Sequence, residues 1–348
     1  MGLLFVEKRW DPGHKTQPVK RDFLTAFLQH LPIDMSQIDN SSKRIDHSSF
    51  SDPSIAVTKH IEIDWTIDFD KRKLSGRCVH TIFVLREAET VDFDGANLCI
   101  EDVLVSGKSV SYRVDDKSSP LGQQISVSVP KEEIVVGSTF TIEFAYSTHR
   151  TASALQWLEK EATSGKRYPY LFTQSQAIHA RSLFPCMDTP GVKATYSATI
   201  HAPEWCTALM SALPVQSDSL PKGVFKWNQP VPVSSYLIAL AAGDLASRDI
   251  SERVRVWSEP EIVDAAEFEF SETEEFLQTA ESIAGPYVWG RYDILCLPPS
   301  FPYGGMENPC LTFATPTLLA GDKSLADVIA HEISHSWTGT DCYIYTLL

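Results

Sequence analysis

Long hydrophobic runs are missing from this chain of 348 residues. The longest apolar stretch, Tyr236 to Ala242, falls well short of the roughly 18 residues that indicate a membrane-spanning helix. A run of that length is typical of a buried strand. The sequence therefore predicts no membrane insertion.

Cysteine is scarce and scattered. The chain has seven cysteines, an odd number, and no C-x-x-C pair. Disulfide frameworks and thiolate zinc sites both depend on regularly spaced cysteines. We expect reduced thiols.

Basic residues are outnumbered, with 30 lysines and arginines against 45 aspartates and glutamates and a formal net charge of −15. A chain with this charge repels phosphates, so nucleic acid and anionic membranes are not expected partners. The N-terminus also lacks a secretory signal, because the apolar run from Leu3 to Val6 is short and Glu7 follows it. These features predict a cytoplasmic protein.

The length and the 43% hydrophobic content predict a folded chain of two domains with an extension. Residues 1–50, a short amphipathic helix followed by polar sequence, form the predicted extension. Apolar and polar residues then alternate with a period of two in Ile61–Phe69, Ile125–Val129 and Phe140–Tyr146. Residues 51–243 are therefore predicted to form a mainly antiparallel β domain.

The pattern changes in residues 244–348. A strand is predicted at Arg253–Trp257, one acidic helix at Ile262–Ala284 and another strand at Tyr292–Leu297. A loop, a strand and a final helix follow. This mixture predicts an α+β domain.

The final helix, predicted from Ser324 to Trp337, contains an H-E-x-x-H array. Residues four apart lie one turn apart on the same face, so His331 and His335 point the same way and can hold one metal ion. Zinc suits two neutral imidazoles and keeps a coordination position open for water. Glu332 lies beside them, where it can take a proton from that water.

The surroundings of the array support the helix. Ser324 and Asp327 have the spacing of a capping box. An apolar stripe places the histidines at its edge, and it consists of Leu325, Val328, Ile329, Ile333 and Trp337. The same spacing also fits a surface helix with two solvated histidines.

A loop before this helix reads F-P-Y-G-G-M-E-N, from Phe301 to Asn308. Paired glycines allow a substrate backbone to approach a strand edge, and the adjacent Glu307 offers an anchor for a cation. Two glycines in a loop also fit an ordinary turn.

Together, G-G-M-E-N and H-E-x-x-H resemble the M1 family of zinc aminopeptidases. The longer sequence H-E-I-S-H-S-W-T-G resembles the corresponding motif of that family's leukotriene A4 hydrolase and aminopeptidase B branch. The motifs T-Q-S-Q-A at 173–177 and R-S-L-F-P-C-M-D at 181–188 extend the resemblance. It implies a β-rich, saddle-shaped N-terminal domain followed by a partial α+β, thermolysin-like zinc metallopeptidase domain.

The resemblance also implies site residues. His331 and His335 would bind zinc, and Glu332 would be the catalytic base. The implied substrate-binding residues are Gln176 and Glu307 at the α-amine, Gly304 and Gly305 at the backbone, and Tyr303 and Met306 beside them. The implied substrates are peptides with a free N-terminus, from which one amino acid is released, and also a lipid epoxide such as leukotriene A4.

The family pattern places a third zinc ligand, a glutamate, further along the chain than Leu348. We therefore expect a C-terminally truncated form that binds zinc weakly and whose activity needs testing, with Asp341 as a poor substitute ligand. One alternative is a non-catalytic peptide-binding or regulatory isoform. Another is a hydrolase that uses Cys186 near His179 as its nucleophile, although no family-specific cysteine motif supports it.

Overall fold

A computed structural model describes residues 46–115, 119–217 and 219–338. Strands dominate the chain up to Gly243. They are β1 (Ala56–Asp68), β2 (Lys73–Val84), β3 (Thr90–Gly95), β4 (Leu98–Val105), β5 (Lys108–Ser109), β6 (Tyr112–Val114), β7 (Gln123–Ser128), β8 (Thr139–Thr148), β9 (Leu155–Leu158), β10 (Tyr170–Thr173), β11 (Lys193–His201), β12 (Thr207–Met210), β13 (Leu213–Pro214), β14 (Val224–Ser234) and β15 (Leu240–Gly243).

These strands form three sheets. The largest has the order β13-β14-β11-β1-β2-β8-β4-β5, and the smaller ones have the orders β12-β15-β10-β9 and β3-β7-β6. The paired strands run antiparallel, except that β1 lies parallel to β11. The prediction of a mainly antiparallel β region is confirmed.

The period-two pattern determines which face of the large sheet is buried. Along β1, the apolar residues from Ile61 to Ile67 point inward and alternate with exposed Glu62 and Thr66. Trp65 is fully buried and donates from Nε1 to the Tyr146 hydroxyl at 2.7 Å. Alternate side chains of a strand lie on opposite faces, so this spacing supplies one apolar face to the core.

The R-S-L-F-P-C-M-D segment anchors the β region internally. Arg181 is buried and donates from Nε to Asp188 Oδ2 at 2.9 Å, and its guanidinium lies 3.7 Å from Asp94. Asp94 also accepts the backbone N–H of Phe50 and of Asp188. A buried arginine with two carboxylates satisfies charges that would otherwise be costly to bury.

The chain after Gly243 forms a separate sheet and three helices within the described residues. Its elements are β16 (Ala246–Asp249), β17 (Val254–Ser258), α1 (Val263–Phe270), α2 (Thr273–Ala284), β18 (Tyr292–Cys296), β19 (Gly305–Met306), β20 (Leu311–Ala314) and α3 (Asp327–His335). The sheet order is β16-β17-β18-β20-β19, with β17, β18 and β20 parallel. The strands up to Gly243 and those from Ala246 belong to different sheets. The predicted domain boundary at residues 243 and 244 stays a prediction.

Two predicted elements differ in extent. The single helix predicted over 262–284 is two helices, because the Ser271 and Thr273 hydroxyls bond to the carbonyls of Phe268 and Phe270. Hydroxyls that compete for backbone groups in this way interrupt helices. The run predicted as one strand over 236–242 is a 3-10 turn at Ser235–Leu237 followed by β15.

The predicted start of the last helix is also wrong. Helix α3 begins at Asp327, and the capping box is not formed because the Ser324 N–H donates to Asp322 Oδ1. The loop before α3 is instead held by α1, because the buried Glu269 carboxylate accepts the N–H groups of Gly321 and Lys323 at 2.8 and 2.7 Å. Leu325 consequently lies on the surface, 40% exposed, and not in the predicted apolar stripe.

Some predictions lie outside the part of the chain that the structure describes. They include most of the extension at 1–50 and the suggested ligand Asp341. No helix among the described residues is long and apolar enough to cross a membrane. The six described cysteines are free thiols, as predicted.

The two strand-rich regions meet along one boundary. Arg167 pairs with Asp244 at 2.9 Å and Glu261 at 2.8 Å, and the Ser164 N–H donates to buried Glu259 at 2.8 Å. These contacts join the loop between β9 and β10 to the segment around β17. The candidate site lies at this boundary.

Candidate active site

The histidine pair of α3 has the geometry of a metal clamp. The Nε2 atoms of His331 and His335 are 3.2 Å apart, and the ring planes are nearly perpendicular at 84°. Two ligands of one tetrahedral zinc, each with a bond of about 2.0–2.1 Å, lie about 3.3 Å apart. The pair therefore fits a zinc ion without rearrangement of the helix.

The end of α3 is held by two indole groups. Trp289 Nε1 donates to the Ser336 carbonyl at 3.0 Å, and Trp337 Nε1 donates to the Gly285 carbonyl at 3.2 Å. These bonds satisfy carbonyls at the ends of α3 and α2 that have no partner within their own helices. They fix the turn that carries His335.

Glu332 is buried against Gly305 of β19. Its side chain is 6% exposed, and Oε2 has no hydrogen-bond partner among the described residues. Burial, together with the nearby Glu307 carboxylate, raises the pKa of Glu332 to about 8. A carboxyl group with such a pKa can both accept and return a proton near neutral pH.

Strand β19 borders the site at the end of its sheet. Gly305 pairs with Ala314 and Met306 with Phe313, and the Gly304 carbonyl accepts the Thr315 N–H at 3.1 Å. Because β19 is the last strand in the sheet order, its other edge faces away from β20. An open strand edge of this kind can pair with an extended peptide.

Glu307 follows β19 and faces α3. One carboxylate oxygen of Glu307, one of Glu332 and one ring nitrogen of His335 all lie within 4.8 Å of one another. Burial raises the pKa of Glu307, although its own backbone N–H and the proximity of His331 act in the opposite direction. The site thus combines two imidazoles with two carboxylates.

The paired glycines have different roles. A Cβ at Gly305 would overlap the Glu332 carboxyl group and lie only 2.7 Å from its Cγ. A Cβ at Gly304 would lie 3.8 Å from Val328 Cγ1, an ordinary contact. Gly305 is therefore needed so that Glu332 can lie against the strand, and Gly304 is not needed for that purpose.

The β region contributes to the site through the loop after β10. Gln174 donates from Nε2 to Met306 Sδ at 3.5 Å, across the boundary between the two regions. Gln176, the predicted amine ligand, lies two residues further on and is half-buried. The observed contact with the G-G-M-E-N segment thus comes from Gln174, which the motif contained but the predicted site omitted.

Tyr236 is a second residue that sequence reasoning missed. It lies in the 3-10 turn before β15, is 8% exposed, and has a raised pKa because of burial and the nearby Glu307 carboxylate. The only sequence signal was its place in the longest apolar run. No pattern in the neighbouring sequence indicated that this run lies close to Glu307.

An aromatic row extends from the site across the boundary. Tyr303 is 47% exposed, and its ring centroid lies 6.0 Å from that of Phe301. Phe301 in turn meets Phe172 of β10 edge to face at 6.0 Å. Phe301 and Phe172 are buried, so of the three rings only Tyr303 offers exposed apolar surface.

The alternative with Cys186 as nucleophile is wrong. Cys186 is buried in a backbone bridge with Asp94, and burial raises the pKa of its thiol well above the ordinary value. His179 Nδ1 lies 2.7 Å from the Ser153 hydroxyl. A buried neutral thiol is a poor nucleophile.

Comparisons with known proteins find relatives for both regions of the chain. The Peptidase M1 N-terminal domain matches residues 57–237, and the Peptidase family M1 domain matches residues 268–342. Leukotriene A-4 hydrolase of Xenopus laevis is 47% identical over 300 residues, covering 84% of this chain and 49% of that protein. Leucine aminopeptidase 2 of Candida glabrata is 39% identical over 337 residues, covering 93% and 49% respectively.

Solved structures show the same likeness. A yeast LTA4 hydrolase in complex with bestatin matches with a TM-score of 0.81 and 37% identity, over 89% of this chain and 48% of that one. The β-rich N-terminal region followed by a partial second domain, as predicted, is confirmed. The chain spans about half the length of the relatives that it matches.

Proposed function

Because this chain belongs to peptidase family M1, we propose that it carries the metal-binding and amine-recognising parts of a zinc aminopeptidase, which releases N-terminal amino acids from peptides. One observation carries the proposal. The two histidines of α3, buried Glu332 and Glu307 converge within a few ångströms beside the open edge of β19.

The donor set fits the metal of this family, which consists of zinc metallopeptidases. His331 and His335 would hold the ion through their Nε2 atoms. Zinc, when bound, supplies the Lewis acidity that polarises a peptide carbonyl and makes water a nucleophile near neutral pH.

Glu332 is placed to move the proton. Its Oε2 is the buried oxygen without a hydrogen-bond partner among the described residues, so it can accept a proton from water without breaking an existing bond. The same carboxyl group can then deliver that proton to the departing amine. One carboxylate thus serves first as base and then as acid.

Glu307 and β19 would set the position of the substrate. The Glu307 carboxylate would hold the free α-ammonium group, with Gln176 assisting from the β region. The backbone at Gly304 and Gly305 would pair with the substrate chain, with Met306 and exposed Tyr303 beside it. An ammonium anchor beside the metal leaves room for one residue, which restricts cleavage to the first peptide bond.

The test uses metal content and turnover of the 348-residue chain. We expect weakly bound zinc, and any release of p-nitroaniline from an aminoacyl-p-nitroanilide should be lost with a chelator and with Glu332→Gln. Exposed Glu275 on α2 supplies the matched control Glu275→Gln, which should leave turnover unchanged. Turnover that resists both the chelator and Glu332→Gln would contradict the proposal.

A binding assay separates the non-catalytic alternative. Calorimetry with a dipeptide amide and its N-acetylated form measures recognition of the free amine without turnover. Binding that requires the free amine and is lost in Glu307→Gln, without zinc-dependent release of amino acids, would favour a peptide-binding protein.

A lipid epoxide is the second candidate substrate. The similarity to a leukotriene A-4 hydrolase suggests it, and the exposed ring of Tyr303 offers apolar surface for a lipid. Incubation with leukotriene A4 and chromatography of the diol products test this. The cytoplasmic location stays a prediction, which cell fractionation tests.

A further inference from the structure

The solvent-facing side of the large sheet carries a depression of about 390 Å³. It crosses four neighbouring strands in the order β14, β11, β1 and β2. Its lining, among the described residues, includes none of the candidate active site. Sites for small molecules usually have volumes of about 300–1,000 Å³, so this depression is large enough to hold one.

The depression forms because the middle strand has shorter side chains than its neighbours. Ser197 and Thr199 of β11 form the floor, and the longer side chains of β1 and β14 rise on either side. All of these polar residues alternate with buried ones, so they lie on the same face of the sheet. The pairing registers place them in two rows, Glu62–Ser197–Asn228 and Asp64–Thr199–Lys226.

The two walls carry opposite charges. Glu62 and Asp64 lie on the β1 side, and Lys226 lies on the β14 side. Asp64 has a partner in His201, whose Nε2 is 3.2 Å from its Oδ1. In contrast, neither Glu62 nor Lys226 forms an ion pair with any residue that the structure describes. One carboxylate and one ammonium group are therefore available to a ligand.

The charges of the lining are balanced, which limits the class of ligand. Arg77 of β2 pairs in register with Asp64 and lies 3.6 Å from Glu143. The two carboxylates of β1 thus lie between the two cations of the lining, Arg77 and Lys226. A simple anion would meet the carboxylates, and a simple cation would meet the lysine. A ligand with both charges avoids both repulsions.

The spacing of the walls indicates how far apart those charges lie. Neighbouring strands are about 4.8 Å apart, so β1 and β14, on either side of β11, are separated by about 9.6 Å. A charge-assisted hydrogen bond at each wall takes about 2.8 Å, which leaves about 4 Å for the ligand. The amine nitrogen and the carboxylate of an α-amino acid are about 3 Å apart. An α-amino acid therefore matches this gap.

Val215 adds an apolar contact at the rim. Its backbone N–H donates to the Lys226 carbonyl at 2.8 Å, and the residue is 42% exposed where it lines the depression. An amino acid whose carboxylate lies at Lys226 has its side chain within reach of this surface. An apolar side chain would gain by covering it.

We propose that the depression is a binding site for a free α-amino acid with an apolar side chain. Its ammonium group binds Glu62, and its carboxylate binds Lys226 and the Asn228 amide. The hydroxyls of Ser197 and Thr199 complete the polar contacts from below. The product of the proposed function belongs to this chemical class, but the inference rests on the depression alone and needs neither zinc nor turnover.

The first experiment measures ligand selectivity by calorimetry on the full 348-residue chain, with a chelator present. We expect leucine to bind at millimolar concentrations. Leucinamide lacks the carboxylate and N-acetyl-leucine lacks the ammonium group, so each should bind about fivefold more weakly. Glycine should also bind more weakly, because it has no side chain to contact Val215. Absence of leucine binding, or equal binding of leucine and the two blocked forms, would overturn the inference.

Variants locate the binding. Lys226→Gln and Glu62→Gln each remove one charge and should weaken leucine binding about threefold to fivefold. Thr199→Trp fills the floor with a side chain that strands accept and should abolish binding. The control Lys222→Gln removes an exposed charge outside the depression and should change nothing. Circular dichroism checks that each variant is folded, and unchanged affinity in both Lys226→Gln and Thr199→Trp would overturn the inference.

A further variant separates this site from the proposed substrate site. The binding that Lys226→Gln weakens should persist in Glu307→Gln, because Glu307 does not line the depression. If Glu307→Gln abolishes leucine binding and Thr199→Trp preserves it, the amino acid binds at the candidate active site and the inference fails. Failure of zinc-dependent turnover would leave all of these binding results unchanged, so the two proposals fail separately.

Discussion

Ionisation of the buried Glu332 carboxyl group should destabilise the folded protein as the pH rises. A single isosteric substitution should remove this effect. In the metal-free protein its pKa is about 8, against an ordinary value of 4.5, because the carboxyl group is buried and faces Glu307. Between these two values the folded state holds a proton that the unfolded chain has released. The free energy of unfolding therefore falls as the pH rises from about 4.5 to about 8.

The size of the effect follows from the shift. A tenfold change in acidity corresponds to about 1.4 kcal/mol, so raising the pH from 5.5 to 8 costs the folded protein at most about 3 kcal/mol through this group. Water that reaches a charged carboxylate reduces such penalties in real proteins, so we expect about 2 kcal/mol. The amide in Glu332→Gln does not ionise and occupies nearly the same volume. The substitution should therefore stabilise the metal-free protein by about 2 kcal/mol more at pH 8 than at pH 5.5.

Urea unfolding in the presence of a chelator, followed by tryptophan fluorescence, measures this difference. The control Glu275→Gln, on the exposed side of α2, should match the wild type at both pH values. If Glu332→Gln has the same stability as the wild type at both pH values, or is less stable at pH 8, burial does not raise the pKa of this group. The site would then hold a charged base without a stability cost.

Further outcomes follow from other contacts in the structure. Gly305→Ala should lower the free energy of unfolding by about 1–3 kcal/mol, because the added Cβ overlaps buried Glu332. Gly304→Ala should change the free energy of unfolding by less than about 0.5 kcal/mol, and thermal unfolding of the two variants tests the difference. Arg181→Met should destabilise the chain by about 3–5 kcal/mol in urea at pH 7, because it leaves two buried aspartates without their cation; a loss below about 1 kcal/mol would contradict this. Buried His80 has a pKa of about 4, so the unfolded chain takes up a proton as the pH falls from 6.5 to 4 and stability drops by up to about 3 kcal/mol. His80→Gln should flatten that acid slope in urea titrations at several pH values, and an unchanged slope would assign it to other groups.

The core of the site could be predicted because its chemistry is local in sequence. The spacing of His331, Glu332 and His335 sets their directions on any α-helix, and G-G-M-E-N contains its strand and its carboxylate within five residues. Helix limits were less predictable. The start of α3 depends on the distant Glu269, whose carboxylate accepts N–H groups of the preceding loop.

Contributions from the β region could be predicted only in part. The T-Q-S-Q-A motif indicated the correct loop, but the residue that contacts Met306 is Gln174, and the role proposed for Gln176 stays a prediction. The apolar run that contains Tyr236 did not mark it as a site residue, because such a run has the same appearance whether or not one of its residues lies near the candidate site.

The sequence by itself determined the periodic features. Alternation along β1 decides which side chains face the core, and a separation of four residues places both histidines on one face of α3, because strand and helix geometry repeat with fixed periods. Tertiary structure alone decided the distances between Glu307, Glu332 and His335 and the contact of Glu332 with Gly305. Those distances depend on how β19 pairs with β20 and how α3 packs beside it, which no local period specifies.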